Sequence, residues 1–344
     1  MSQARTVFSA SEASYSAAAK ELRGVFGGAL VERLGPDVGC LHAAGVDIAD
    51  IADIAEECRR RPLVFVRHLM REEARVSAEA SDAGNLISGA AIDLARSHAI
   101  ASELALQIWV SGDATVGPRA DELRSRVADG LQRQGFAVAR ADRAWVLSIC
   151  ATPTGIVLGI NRRADALADW PGGRVRLARD EGQVSRSEFK LEEALAVFDL
   201  ALPVGGVAMD LGASPGGWTR VLRRHGLSVW AVDPADLDLR VVADPSVHHA
   251  RTTAGRFLAE TDRSFDLVVN DMRMTAELSC EVMLVAARRL KPGGLAIVTL
   301  KLSPHEPLQT VHTSLTILRR AYVILHARQL HHNRNEVTVV ARRG

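Results

Sequence analysis

The carboxy-terminal half of the sequence predicts an α/β domain on a mostly parallel sheet with an antiparallel closing strand, preceded by smaller α+β units. Three observations carry this prediction. Apolar, strand-like runs alternate with helical stretches from residue 207 onward. Carboxylates or a lysine stand at the ends of those runs. A bare, glycine-rich turn, DLGASPGGWT (210–219), follows the first of them. Strands that alternate with helices form a parallel sheet covered on both faces, which explains why each run is apolar throughout rather than alternating.

In order, VAMDLG (207–212) reads as a buried strand, followed by a helix beginning near Trp218. SVWAVD (228–233) is a second strand and FDLVVNDM (265–272) a later one. ELSCEVMLVAARRL (277–290) has helical spacing and stops at KPGG, a turn signal. LAIVTLKL (295–302) is the next strand, then a helix runs to about residue 320. YVILHARQL and NEVTVVARR read as a closing antiparallel pair. Ligands of such sheets sit beyond the carboxyl ends of the strands. Asp210, Asp233, Asp271 and Lys301 all stand there.

Upstream, SYSAAAKELRGVFGGALVERL reads as a helix and PLVFVRHLM as a strand. LALQIWVSG is a strand, DELRSRVADGLQRQG (121–135) a helix, and FAVARADRAWVLSICAT with GIVLGINRR a hairpin-like pair. Residues 1–80 and 81–170 are read as two α+β units, and the Gly-, Pro- and charge-rich segment 171–186 as a linker.

The chain has 344 residues, 47% of them apolar and 24% charged, which suits a globular protein with more than one core. No apolar run reaches the roughly eighteen residues of a membrane span, and no apolar segment follows the first basic residue as in a secretory signal. Cys40, Cys58, Cys150 and Cys280 are scattered and form no C-x-x-C pair, which argues against a zinc ribbon or disulfide framework and for buried thiols in a reducing, cytoplasmic setting. No metal site is expected. Forty-two basic against 41 acidic side chains exclude a globally basic nucleic-acid binder. They leave room for a local basic face. Residues 319–344 carry Arg319, Arg320, Arg328, Arg334, Arg342 and Arg343 against the single acid Glu336. His331 and His332 lack a third ligand and read as RNA-contacting or surface groups.

The turn is the sharpest signal. Gly212, Gly216 and Gly217 allow positive φ and close backbone approach. They open a helix start that favours a negative group. The spacing is neither the dinucleotide fingerprint nor the P-loop. A nucleoside ligand with a small charged tail remains, its ribose hydroxyls on Asp233, about twenty residues on. S-adenosylmethionine meets both demands.

DLGASPGGW closely resembles the first motif of the FtsJ-like (RrmJ-type) ribose 2′-O-methyltransferases, a Rossmann-like family whose hallmark is a Lys-Asp-Lys-Glu tetrad. Matching contexts follow in order: Lys190 in SRSEFKLEEAL, Asp271 in NDM, Lys301 in VTLKL and Glu336 in NEVTVV. Taken singly, each of the four reads as an ordinary surface or strand-end residue; jointly, beside the turn, they do not. The resemblance runs from about residue 155 to 344 and is greatest to the RlmM-type subgroup, which modifies a cytidine of 23S ribosomal RNA. GINRRADALADWPGG and ARQLHHNRNEVTVVARR add to it. In that subgroup a ferredoxin-like unit and an RNA-binding THUMP domain precede the catalytic domain.

What the resemblance implies is specific. Lys301 is the general base, Lys190 a second positive charge beside it, Asp271 the group that orients Lys301 near the methyl donor, and Glu336 the anchor of both lysines. Ser187, Asp210, Gly212, Ser214, Pro215, Gly216, Gly217, Trp218, Asp233, Thr253 and Asp271 are implied to line the cofactor. Thr253 stands where the family commonly has an adenine-contacting acid, and Ser214 where the subgroup often has cysteine. The implied partner is large-subunit ribosomal RNA or its assembly particle, bound by a monomer without a membrane. A transfer-RNA 2′-O-methyltransferase stays open, as does a non-catalytic RNA-binding assembly factor, for which Thr253 speaks. A small-molecule or protein methyltransferase would leave the amino-terminal half and the second lysine without a purpose.

Overall fold

The computed structural model describes residues 5–42, 50–77, 79–112, 119–178 and 180–344. The first four residues of the N-terminal segment and Arg179 of the expected linker lie outside them. The chain divides into two compact units, Met1–Val175 and Arg176–Gly344.

The first unit holds two sheets. β1 (Arg5–Ser9), α1 (Tyr15–Val25), β2 (Leu30–Arg33), β3 (Val38–His42), α2 (Ile51–Arg60) and β4 (His68–Arg71) build a four-stranded sheet ordered β2-β3-β1-β4. β5 (Ala74–Val76), α3 (Ala83–Ser97), β6 (Glu103–Val110), α4 (Ala120–Arg133), β7 (Ala137–Ala139), β8 (Trp145–Thr152) and β9 (Gly155–Arg162) build a five-stranded one ordered β5-β9-β8-β6-β7. Ile87 and Ala91 of α3 and Leu123 and Val127 of α4 share a core with Leu104, Leu106, Leu147 and Leu158 of that sheet.

Four sequence expectations change here. ALVERL does not continue the first helix. The Gly27–Gly28 pair, with Gly28 at φ 81°, ends α1, and residues 30–33 form β2. PLVFVRHLM is a strand only from His68, because the amides of Val64 and Phe65 go to the half-buried Glu21 carboxylate at 2.9 Å each instead of to a ladder. Ala74–Val76 falls before residue 81 yet pairs with β9 of the second sheet. Residues 171–175 belong to the first unit rather than to a free linker: the Ser9 hydroxyl donates to the Gly172 carbonyl at 2.8 Å, and Val175 is buried.

The second unit is a seven-stranded sheet ordered β12-β11-β10-β13-β14-β16-β15. Its elements are α5 (Glu188–Val197), β10 (Val207–Leu211), α6 (Gly217–Arg224), β11 (Ser228–Val232), α7 (Leu239–Val242), β12 (Val247–Ala250), α8 (Ala254–Glu260), β13 (Phe265–Asn270), α9 (Ala276–Ala286), β14 (Leu290–Lys301), α10 (Pro307–Leu318), β15 (Tyr322–Arg328) and β16 (Glu336–Arg343). β12 through β14 are parallel, and β16 runs antiparallel to both β14 and β15. The KPGG segment after α9 lies inside β14, where the register with β13 shifts, rather than in a turn before it. Leu191 and Leu195 of α5 and Trp218, Val221 and Leu222 of α6 share a core with Ala208, Leu267, Val269 and Ile297. α9 covers β14 and packs on α10.

The chain winds outward from β10 to β12, then returns to β13 on the other side of β10. That reversal opens a crevice between the carboxyl ends of β10 and β13, where such sheets bind ligands. β16 begins at the same end because it runs the other way. The four cysteines are buried and form no disulfide among the described residues. Among the described residues no helix is long and apolar enough to cross a membrane.

Candidate active site

Four elements deliver Lys190, Asp271, Lys301 and Glu336 to one point. Lys190 lies in the first turn of α5, Asp271 follows the last residue of β13, Lys301 ends β14, and Glu336 begins β16. The β14–β16 register sets Lys301 directly opposite Glu336. Lys190 Nζ lies 3.1 Å from both carboxylate oxygens of Asp271 and 2.7 Å from Glu336 Oε2. Lys301 Nζ lies 3.0 Å from Asp271 Oδ1 and 2.9 Å from Glu336 Oε1. Two ammonium and two carboxylate groups therefore alternate around a ring, so the charges balance. Their side chains are 15–22% exposed, enough for a substrate to reach them.

Sequence reasoning missed Thr299. Its hydroxyl donates to Asp271 Oδ1 at 2.6 Å and accepts from Lys301 Nζ at 2.9 Å. The signal was available: residues two apart on a strand share a face, so Thr299 had to lie beside Lys301. Burial pushes the Asp271 carboxyl up, but the Lys301 and Lys190 charges and the hydrogen bonds from Thr299 and Lys301 outweigh it, so it sits below the usual carboxylate range. Asn270, fully buried, accepts the Met272 amide at 2.9 Å and donates to Ser279 at 3.2 Å, which fixes the turn that carries Asp271.

Two further acids that the sequence reading passed over hold α5 in place. Glu188 accepts from the amides of Val184 and Ser185 and from Arg220 of α6. Glu193 accepts from the amides of His331 and His332 at 2.6 and 2.7 Å and lies 2.7 Å from His332 Nδ1. Both acids are 1% exposed. His332, expected to contact RNA or solvent, thus braces the loop before Glu336 against the helix that carries Lys190. Its ring also lies 5.1 Å from that of Phe189.

The glycine turn sits beside this ring. Gly216 is left-handed, at φ 110°, and caps α6. A Cβ on Gly216 would meet Val241 at 2.9 Å, and one on Gly217 would collide with Ser185 Oγ. Gly212 is pressed likewise by Met272. The bare backbone is therefore required by the protein's own neighbours as well as by its conformation, a reason the sequence did not disclose. The Ser214–Pro215 bond is cis. Segment 236–241 wraps the turn: Ser214 Oγ donates to the Asp236 carbonyl at 2.8 Å, and the Asp238 amide to the Pro215 carbonyl at 2.9 Å. Trp218 is buried, its Nε1 donating to the Ser187 carbonyl at 2.8 Å, so the turn and α5 are tied together.

Asp210 lies under the turn rather than in the open. It is fully buried and accepts the Thr219 hydroxyl at 2.6 Å. Burial, Asp271 and Asp233 push its carboxyl up against that hydrogen bond, to about 7. Asp233 is half-buried at the end of β11, its carboxylate accepting the amides of Ser214 (3.1 Å) and Ala235 (2.8 Å). Ser187 shares a 2.6 Å hydrogen bond with Ser185. Thr253 is exposed and caps α8, its hydroxyl accepting from the Arg256 amide at 3.4 Å.

Residues 183–307 match the FtsJ-like methyltransferase family. The chain is 41% identical over 177 residues to a ribosomal RNA large subunit methyltransferase M of Halorhodospira halophila, 51% of each chain. It is 34% identical over 230 residues to a protein of the same name from Alkalilimnicola ehrlichii, 64% of this chain and 62% of that one. A third, from a Marinomonas species, is 28% identical over 328 residues, 88% of each. The alignments span about half the length of the first relative and three fifths of the second. With the turn, Lys190, Asp271 and Lys301 all inside the matched segment, the chain carries an FtsJ-like methyltransferase domain.

Proposed function

We propose that this protein is an S-adenosylmethionine-dependent ribose 2′-O-methyltransferase acting on a cytidine of large-subunit ribosomal RNA. The observation that carries the reading is the closed ring of Lys190, Asp271, Lys301 and Glu336 at the sheet's crevice. The relatives' printed names support the substrate.

The donor set fits the cofactor. Asp233 and Asp271 stand at the carboxyl ends of β11 and β13 and give the crevice an acidic lining, while Asp210 lies buried beneath the turn. Such a lining suits a sulfonium and an α-ammonium, and a half-buried carboxylate such as Asp233 suits ribose hydroxyls. The turn from Gly212 through Trp218, including Ser214, Pro215, Gly216 and Gly217, would hold the amino-acid end, with Ser187 beside it and Asp210 keeping the turn in shape from below. Asp233 would take the ribose, Thr253 the base, and Asp271 the side nearest the reacting centre. Bound S-adenosylmethionine supplies an electrophilic methyl group.

A ribose 2′-hydroxyl is a weak nucleophile while it keeps its proton. Lys301 takes that proton at Nζ, in its amine form, and the ammonium then passes it to solvent. An amine retains two N–H donors, which Asp271, Glu336 and Thr299 share among them, and its lone pair is left for the incoming hydroxyl. Asp271, Glu336 and Thr299 fix Nζ from three sides, and such positioning supplies much of the rate. Lys190 shares both carboxylates and keeps positive charge beside the developing alkoxide.

Residues 81–170 would act as a THUMP-like RNA-binding domain behind a ferredoxin-like unit, and the enzyme would work as a cytoplasmic monomer. The test is transfer of tritium from labelled S-adenosylmethionine into protein-free ribosomal and transfer RNA from cells lacking this gene. Label in ribosomal RNA is expected. Label in transfer RNA alone would overturn the substrate, and label in neither, from protein that binds the cofactor, would overturn the activity.

A further inference from the structure

The basic bias of residues 319–344 does not form one face. Arg334 lies two residues before Glu336, at the carboxyl end of the sheet. Arg319, Arg320, Arg342 and Arg343 lie at the opposite end, where β15 starts and β16 stops. Arg288, in the turn after α9, joins them. Three of them, Arg288, Arg320 and Arg343, line a hollow of about 440 Å³ together with Leu284, Val285 and Gly344, among others.

Two features set these arginines apart. On the β11–β12 side of the same unit, arginines are matched with acids: Arg223 with Asp244, Arg224 with Glu192, Arg240 with Asp238 and Arg256 with Glu260. Arg288, Arg319, Arg320 and Arg342 make no ion pair among the described residues, and Arg343 donates to the Leu290 carbonyl, which aims its guanidinium at the hollow's edge. Second, the carboxyl ends of α9 and α10 favour a cation each, which accounts for one arginine after either helix. It accounts neither for the doubled Arg319–Arg320 pair nor for Arg342 and Arg343, which come from a strand. No aspartate or glutamate among the described residues lines the hollow, so it carries an excess of positive charge.

We propose that this hollow binds backbone phosphate of the RNA substrate, as an anchor remote from the methylated ribose. The proposal rests on the RNA-methyltransferase reading above. β16 runs from Glu336, opposite Lys301, to Arg343 at the hollow, seven residue steps, so the two sites are about 23 Å apart. An anchor at that distance grips the fold of the RNA rather than the target sequence.

The test is the double substitution Arg288→Gln/Arg320→Gln, both exposed and unpaired, which spares Arg343. Binding to transcribed 23S ribosomal RNA is measured between about 50 and 200 mM salt, with S-adenosylhomocysteine affinity and kcat at saturating RNA as controls. Losing two phosphate contacts should flatten the slope of log affinity against log salt by about 1.4 and raise KM for RNA, with both controls unchanged. An unchanged slope and KM, in protein that still binds RNA, would overturn the anchor alone. Failure of the unsubstituted chain to bind ribosomal RNA would overturn the anchor and the substrate reading together.

Discussion

Thr299→Val isolates the part of the site that holds Lys301 without touching any charged group. Valine matches threonine in shape, and residue 299 is fully buried, so the strand should accept it. The substitution removes a 2.6 Å O–H donor to Asp271 and the 2.9 Å acceptor for Lys301. A hydrogen bond to a charged group contributes about 1.5–3 kcal/mol. If the same bonds align Nζ during proton transfer, that energy corresponds to roughly a 10- to 150-fold loss of kcat. Cofactor affinity should change less than kcat, because Thr299 is hydrogen-bonded to Asp271 and Lys301 rather than to the turn residues. Initial rates at saturating RNA and S-adenosylmethionine measure kcat, and titration with S-adenosylhomocysteine measures affinity. Thr299→Ser should recover most of the rate, since it restores the hydroxyl. A wild-type kcat in Thr299→Val, or a serine variant as slow as the valine one, would refute this positioning role.

Other consequences follow from the same geometry. Gly216→Val forces a side chain onto a residue at φ 110° and into Val241, costing roughly 2 kcal/mol and most of the cofactor affinity, read by calorimetry. Glu193→Ala frees the amides of His331 and His332 and loosens the loop before Glu336, so stability should drop by roughly 3 kcal/mol and kcat should fall with it, measured by denaturant unfolding and initial rates. Asp210 titrates in the unfolded chain near 3.8 and in the folded one near 7, so its proton favours the folded state. That stability is full below pH 3.8 and is lost as pH rises through 7. Against Asp210→Asn, which keeps an acceptor for Thr219, wild-type unfolding free energy should fall by about 3 kcal/mol between pH 5 and 8. A parallel pH dependence in the two proteins would contradict the buried, proton-holding carboxyl.

The sequence disclosed what depends on local chemistry. Apolar runs ending in Asp210, Asp233, Asp271 and Lys301 were readable because a doubly covered parallel strand is apolar throughout and its ligand end is polar. Glu336 was assigned only through resemblance, since a lone acid at a strand start carries no signal of its own; the antiparallel register then sets it against Lys301. Contacts between distant segments stayed hidden. Glu193 and His332 are 139 positions apart, and nothing in EEAL or LHHN announces that one braces the other. The glycines were legible as a turn, but not as the room that Val241, Ser185 and Met272 require. Val64 and Phe65 show the same limit from the other side. Their β-like sequence yielded to a carboxylate on α1 that took their amides.

The proposed role of the Lys-Asp-Lys-Glu ring is methyl transfer to a ribose hydroxyl. Its most direct test is nucleoside mass spectrometry of ribosomal RNA treated with the wild-type protein and with Lys301→Ala, both shown to bind S-adenosylhomocysteine. 2′-O-methylcytidine is expected at one position with the wild type and none with the variant. A methyl group on a base, or undiminished ribose methylation by Lys301→Ala, would contradict it.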